Sequence, residues 1–71
     1  MNSQEQQTLS ALKQRLMRSE HQYVITQCQQ FIDTNPSDNA LREAFYLLAV
    51  AFRLLGDLGN AKNTLQRLLS V

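Results

Sequence analysis

One apolar pattern occurs twice in this chain, and it limits the possible folds more than any other feature of the sequence. The apolar positions within 9–16 return 36 residues later within 45–52, and those within 24–31 return 37 residues later within 61–68. The repeated positions are Leu9, Leu12, Leu16, Val24, Cys28 and Phe31 in the first copy, and Phe45, Leu48, Phe52, Ala61, Leu65 and Leu68 in the second. A repeat of this length predicts that the same helical hairpin occurs twice in the fold. We expect the one-residue difference between the two intervals to lie in the turn near Ser19.

Helix-forming residues fill the chain, and only two glycines and one proline interrupt them. Ser3 and Ser19, each with a glutamine three positions later, have the spacing of capping boxes that begin helices one and two. Gly56 is expected to end helix three in the left-handed conformation, and Asp57 to cap helix four. The predicted helices span about 4–18, 20–34, 38–55 and 58–71.

The expected fold is therefore all-α, a single domain over 1–71 in which two antiparallel helix hairpins stack on each other. The first repeat covers about 4–36 and the second 38–71. In helix four we expect the buried stripe to be Leu58, Ala61, Leu65 and Leu68. A chain of 71 residues buries only about 60% of its unfolded surface, so its core is thin. The single cysteine, Cys28, closes no intrachain disulfide, and this predicts support from a protein partner.

The second copy resembles the tetratricopeptide repeats in the spacing of its aromatic, small and apolar positions. The matching positions are Phe45, Leu48, Ala49, Phe52, Gly56, Ala61, Leu65 and Leu68. The first copy departs further from that family, with Leu9 for the first aromatic residue, Lys13 at the small position and Ser19 for the turn glycine, although Pro36 follows Phe31 at the family interval. The resemblance implies a non-enzymatic protein-binding module or small chaperone that holds a helical or extended segment of a partner. The longer loop after Pro36 is similar to bacterial envelope and secretion domains, including chaperones of type III secretion.

The resemblance also implies where a partner would bind, because the first helix of each tetratricopeptide hairpin lines a concave groove. The expected partner-binding residues are Gln14, Met17, Tyr46, Val50, Arg53 and Leu54. A second uncovered apolar surface is expected at the end of helix four, since no capping helix follows it there. That surface comprises Leu68, Leu69 and Val71. Whether the partner is a client protein or a second copy of the chain stays open.

Other classes of function find little support in the sequence. Cys28 and His21 are seven residues apart, about 10 Å along one helix, which is too far for a catalytic dyad. We therefore expect no enzyme activity, no cofactor, no metal and no small-molecule substrate. The longest apolar run, 44–55, is interrupted by Arg53 and is shorter than the roughly 20 residues of a membrane helix, so no membrane insertion is expected. The unpaired cysteine and the absence of a signal-peptide pattern predict the cytoplasm.

The alternative to a protein-binding module is a small helix-turn-helix DNA-binding protein. Residues 51–56 followed by 63–68 resemble the amino-acid sequence of that motif. Gly56 and Thr64 are eight residues apart, however, whereas the motif separates its glycine and threonine by about five, so the second helix would present a different face. The formal net charge of +1 also provides little attraction for phosphates, and nucleic acid is not the expected partner.

Overall fold

A computed structural model describes all 71 residues, of which 80% are helical and none forms a strand. The helices are α1 Ser3–Met17, α2 His21–Asp33, α3 Asp38–Leu54 and α4 Leu58–Leu69. The predicted all-α fold with four helices is confirmed. None of the four helices combines the length and the hydropathy that crossing a bilayer requires.

The caps of α1 and α2 differ from the predicted capping boxes. Helix α1 begins at Asn2, whose side chain accepts a hydrogen bond from the Glu5 N–H at 2.8 Å, while the Glu5 carboxylate accepts one from the Asn2 N–H at 3.1 Å. The box is therefore one residue earlier than the one expected at Ser3. Helix α2 has Glu20 at its N-cap and no side-chain cap there. The box expected at Ser19 was wrong, because this residue instead ends the preceding helix.

The two hairpin turns have the same backbone geometry. Ser19 has a φ of 64° and Gly56 a φ of 84°, and both stand two positions after the end of a helix. In each turn the next N–H donates to the carbonyl five residues earlier, at 3.1 Å in the first turn and 2.9 Å in the second. This is the hydrogen bond of a Schellman C-cap. Each hydrogen-bonded residue of the first turn stands 37 positions before its counterpart in the second turn. The expectation that a one-residue difference lies in the turn near Ser19 was therefore wrong.

Helix α3 is the centre of the fold. It packs against each of the other three helices, whereas α4 packs against α3 alone. The two hairpins therefore stack through α3, as the repeat predicts. The hydrophobic core consists of ten buried residues from α1, α2 and α3, and α4 contributes none of them. These residues are Leu9, Leu12, Val24, Ile25, Cys28, Ala40, Ala44, Leu47, Leu48 and Ala51.

A smaller buried group joins α3 to α4. Its members are Phe45, Ala49, Ala61 and Thr64, and the Arg67 guanidinium stacks over the Phe45 ring at 4.7 Å from its centroid. The two alanines allow the helices to approach closely. The predicted buried stripe of α4 was only partly correct. Leu58 and Leu65 are exposed and Thr64 is buried instead, because α3 covers only one side of α4.

Polar contacts tie the first hairpin to the start of α3. The Glu5 carboxylate accepts hydrogen bonds from both the backbone N–H and the hydroxyl of Ser37, each at 2.9 Å. These bonds, led by the backbone bond from Ser37, lower the pKa of Glu5 below its usual value. Lys13 of α1 also forms an ion pair with Glu43 of α3. The two hairpins are thus joined by polar groups at the surface as well as by the core.

Candidate functional site

A shallow apolar pocket lies on the outer side of the second hairpin, between α3 and α4. Its volume is about 330 Å³, and five of its six lining residues are hydrophobic. The lining residues are Tyr46, Ala49, Val50 and Arg53 from α3, with Ala61 and Leu65 from α4. On α3 these positions follow the spacing of one helical face, which explains why they share a surface.

The side chains around this pocket are exposed although most are apolar. The exposed fraction is 57% for Tyr46 and 45% for Leu65, and Val50 is half-buried. Ala49 and Ala61 are buried beneath them and form the floor. We refer to the pocket and its six lining residues as the open face. Uncovered apolar surface rimmed by a polar group is typical of a protein interaction site.

Arg53 supplies the one charge of the open face. Its guanidinium forms no ion pair, no side-chain hydrogen bond and no stacking contact within the chain. Arg15, by contrast, pairs with Glu20 at 2.9 Å and stacks over the Tyr23 ring, and Arg67 stacks over Phe45. An arginine without a partner beside an apolar pocket is available to a carboxylate from outside the chain.

The structure brings together three of the six predicted partner-binding residues. Tyr46, Val50 and Arg53 share the open face. Leu54 and Met17 are exposed at the ends of α3 and α1 and do not line the pocket. Sequence reasoning placed Ala61 and Leu65 in the buried seam of their hairpin and missed their part in this surface. No signal in the sequence distinguishes Leu65 from a buried position, because its counterpart 37 residues earlier, Cys28, is a core residue.

Gln14, the remaining predicted residue, lies on a different surface. It lines a shallow depression on α1 together with serine and glutamine side chains, and only one of the six lining residues is hydrophobic. Four of these residues, Ser3, Gln7, Ser10 and Gln14, follow one helical stripe, and we refer to this stripe as the polar face. All four side chains are exposed. Gln14 therefore lies on a polar surface that is separate from the open face.

The predicted surface at the end of α4 is partly exposed. Leu69 is 86% exposed, whereas Leu68 and Val71 are half-buried. Leu68 lines a second depression of about 610 Å³ together with Tyr46 and Arg42. Tyr46 thus borders both the open face and this depression, in which four of the seven lining residues are polar or charged.

Two polar side chains that could carry other chemistry are buried in the fold. Cys28 is fully buried, and burial raises the pKa of its thiol to about 12, which keeps it protonated at neutral pH. Cys28 is a core residue, as the sequence predicts. Thr64 is buried against α3, and its hydroxyl donates to the carbonyl of Asn60 at 2.7 Å. This side chain is therefore not part of the exposed surface of α4.

The chain matches no profile of a known protein family, no curated protein and no solved structure. The open face is accordingly defined by the geometry of this chain alone.

Proposed function

We propose that this protein is a binding module of tetratricopeptide type, which holds a segment of another protein on the open face. The observation that carries the proposal is the pocket itself: an uncovered apolar surface between α3 and α4 with the unpaired Arg53 at its edge. Tyrosine and arginine are enriched among the residues that dominate binding energy in protein interfaces. The open face offers one of each, beside the apolar Leu65.

The energy available at this surface is large for so small a protein. Burying a large apolar side chain contributes about 1.5 to 3 kcal/mol, and Tyr46 and Leu65 are each about half exposed. A core of this size rarely supplies more than about 3 to 5 kcal/mol of net stability. A partner that covered both side chains would therefore stabilise the fold noticeably.

The architecture supports the same proposal. Stacked hairpin arrays generally need three or more repeats, because each hairpin buries its apolar face against the next one. This chain has two hairpins with the same turn geometry, and none of the other helices of these 71 residues packs against α4 apart from α3. A bound segment would provide that missing neighbour.

The test is a selection for peptides that bind the full chain. A displayed library of random helical peptides is selected against the native protein, and the winners are measured by isothermal titration. Tyr46→Ala should weaken binding by about 1 to 3 kcal/mol, as expected for a central interface aromatic. Arg53→Glu should slow association in a manner that depends on salt.

Tyr23→Ala is the matched control, because Tyr23 is a similarly exposed tyrosine on α2 and lies outside the open face. It should leave affinity unchanged, and circular dichroism should show all three variants folded. Selected peptides that bind the Tyr46→Ala and native proteins equally well would place the binding surface elsewhere and contradict the proposal.

A further inference from the structure

The open face has a counterpart in the first hairpin, and that counterpart is covered. Because the two turns are 37 residues apart, each position of the second hairpin can be compared with the one 37 residues earlier. The counterpart of Tyr46 is Leu9, which is 1% exposed, and the counterpart of Leu65 is Cys28, which is 0% exposed. Both counterparts belong to the core that α3 helps to form.

The remaining four counterparts also lie where α3 packs. Ala49, Arg53 and Ala61 correspond to residues that belong to the core or pack against it. These residues are Leu12, Leu16 and Val24. Val50 corresponds to Lys13, which pairs with Glu43 of α3. The two exposed apolar residues of the open face, Tyr46 and Leu65, thus correspond to residues that are buried in the core that α3 helps to form.

Helix α3 covers that surface with small apolar residues. It contributes Leu48 and four further residues to the core. These four have spacings of four, three and four residues and three of them are alanines, and we refer to this set as the small-residue stripe. Its members are Ala40, Ala44, Leu47 and Ala51. Alanine lets the backbone of one helix approach another closely, so a helix with this stripe can lie deep between the two helices of a hairpin.

We propose that the open face binds a single helix of a partner protein, one that presents a stripe of small apolar residues like that of α3. The inference rests on the proposed function and specifies its ligand. Arg53 stands where the first hairpin has Leu16, so the partner helix should also carry an acidic side chain beside its stripe. The bound helix occupies the position that the first helix of a third hairpin would have in a longer stack.

Two arrangements of a second copy on the open face match it poorly. In a second copy, the small-residue stripe of α3 is already packed within that copy. The equivalent positions on α1 are exposed, but they form the polar face. Ser3, Gln7, Ser10 and Gln14 are the counterparts of the four small-residue positions. A two-fold pairing of two open faces would bring two copies of Arg53 together with no carboxylate among the lining residues.

The probe for this inference is a peptide with the sequence of residues 38–55, added to the intact protein. Phe45→Lys and Phe52→Lys keep the peptide soluble and leave the small-residue stripe unchanged. The matched control peptide carries the residues of the polar face at the four stripe positions. Those changes are Ala40→Ser, Ala44→Gln, Leu47→Ser and Ala51→Gln. Fluorescence anisotropy of the labelled peptides should show the parent peptide binding at least about tenfold more tightly than the control.

A pair of protein variants locates the bound peptide. Leu65→Ser should weaken binding of the parent peptide by about tenfold. Leu55→Ser is the control, because Leu55 is 49% exposed and does not line the pocket. Its counterpart in the first hairpin, Arg18, stays exposed although α3 packs on that hairpin. It should change the affinity by less than about twofold.

The outcomes separate this inference from the proposed function. Equal affinity for the two peptides, or equal binding of the parent peptide by the native and Leu65→Ser proteins, overturns the inference. If library-selected peptides bind the open face and the parent peptide does not, the proposed function holds and the small-residue stripe is the wrong ligand. If the selected peptides ignore the open face, both are overturned.

Discussion

The two hairpins have the same turn geometry and differ in what lies beside them. The first hairpin has α3 on one side and its polar face on the other, and its core residues Leu9, Leu12, Val24 and Cys28 are buried. The second hairpin uses one side of α3 to cover the first, and nothing covers its own other side. Tyr46 and Leu65 are therefore surface residues, whereas their counterparts Leu9 and Cys28 are core residues. The difference teaches that neighbours, not local pattern, decide which face of a helix is buried.

The same difference explains the two repeat intervals in the sequence. In α1 the buried residues Leu9 and Leu12 face the hairpin that follows. In α3 the buried residues face the preceding hairpin as well as α4, which shifts the apolar pattern by one position. Residues that are 36 positions apart have similar apolar character but lie on helix faces with different neighbours. Residues that are 37 positions apart occupy equivalent backbone positions in the two hairpins.

The largest expected effect comes from truncating the same position in the two hairpins. Leu9→Ala should lower the free energy of unfolding by about 2 to 5 kcal/mol, because it leaves a cavity in the core. Tyr46→Ala, at the equivalent but uncovered position, should cost less than about 1 kcal/mol. Urea denaturation followed by circular dichroism measures both. Similar losses for the two variants would mean that Tyr46 is held by contacts within the chain.

A cysteine can report the same contrast as a reaction rate. In the native protein Cys28 should react with a thiol reagent at least about 100-fold more slowly than a cysteine introduced by Leu65→Cys in a Cys28→Ala background. Burial also raises the pKa of Cys28 to about 12. Because the unfolded thiol ionises first, the stability that Cys28 contributes should fall as pH rises from about 9 toward 12. Comparable labelling rates at pH 8 would contradict the burial of Cys28.

The two turns offer a third and smaller contrast. Gly56→Ala should destabilise the protein by about 1 kcal/mol, since a side chain disfavours the φ of 84° although the space around it is empty. Ser19→Gly should stabilise it by up to about 1 kcal/mol by relieving the same strain in the first turn. Thermal melts of the two variants check the opposite signs. A shift in the same direction for both would show that the turns are not equivalent.

The smallest expected effect concerns the polar link between the hairpins. The folded state lowers the pKa of Glu5, so its stabilising contribution is present above the unfolded pKa and is lost as pH falls through the folded one. Glu5→Gln should therefore flatten the loss of stability in acid. A double-mutant cycle with Ser37→Ala measures the coupling through the hydrogen bonds that join the two residues. Additive effects of the two substitutions would exclude this link.

Much of the fold follows from local features that can be read in the sequence. The end of α3 at Gly56, the cap at Asp57 and the burial of Cys28 were all predicted correctly. Ser19 was correct as the counterpart of the turn glycine, since it adopts the left-handed conformation as Gly56 does. It was wrong as the start of a capping box for α2, an assignment made because serine commonly begins helices. Three residues of the open face were predicted, whereas the exposure of Leu65 was not, since its spacing suits a buried seam equally well.

The sequence by itself determined the four helices, their turns and the repeat, because capping residues, breakers and apolar spacing act over a few residues. The tertiary structure alone decided which apolar residues are left uncovered. The apolar stripe predicted for α4 includes both buried and exposed positions, and only the packing of α3 against one side of the helix selects Ala61 and Thr64 for burial and leaves Leu65 and Leu69 exposed. Burial is a property of pairs of surfaces, and a pattern within one helix specifies only one member of each pair.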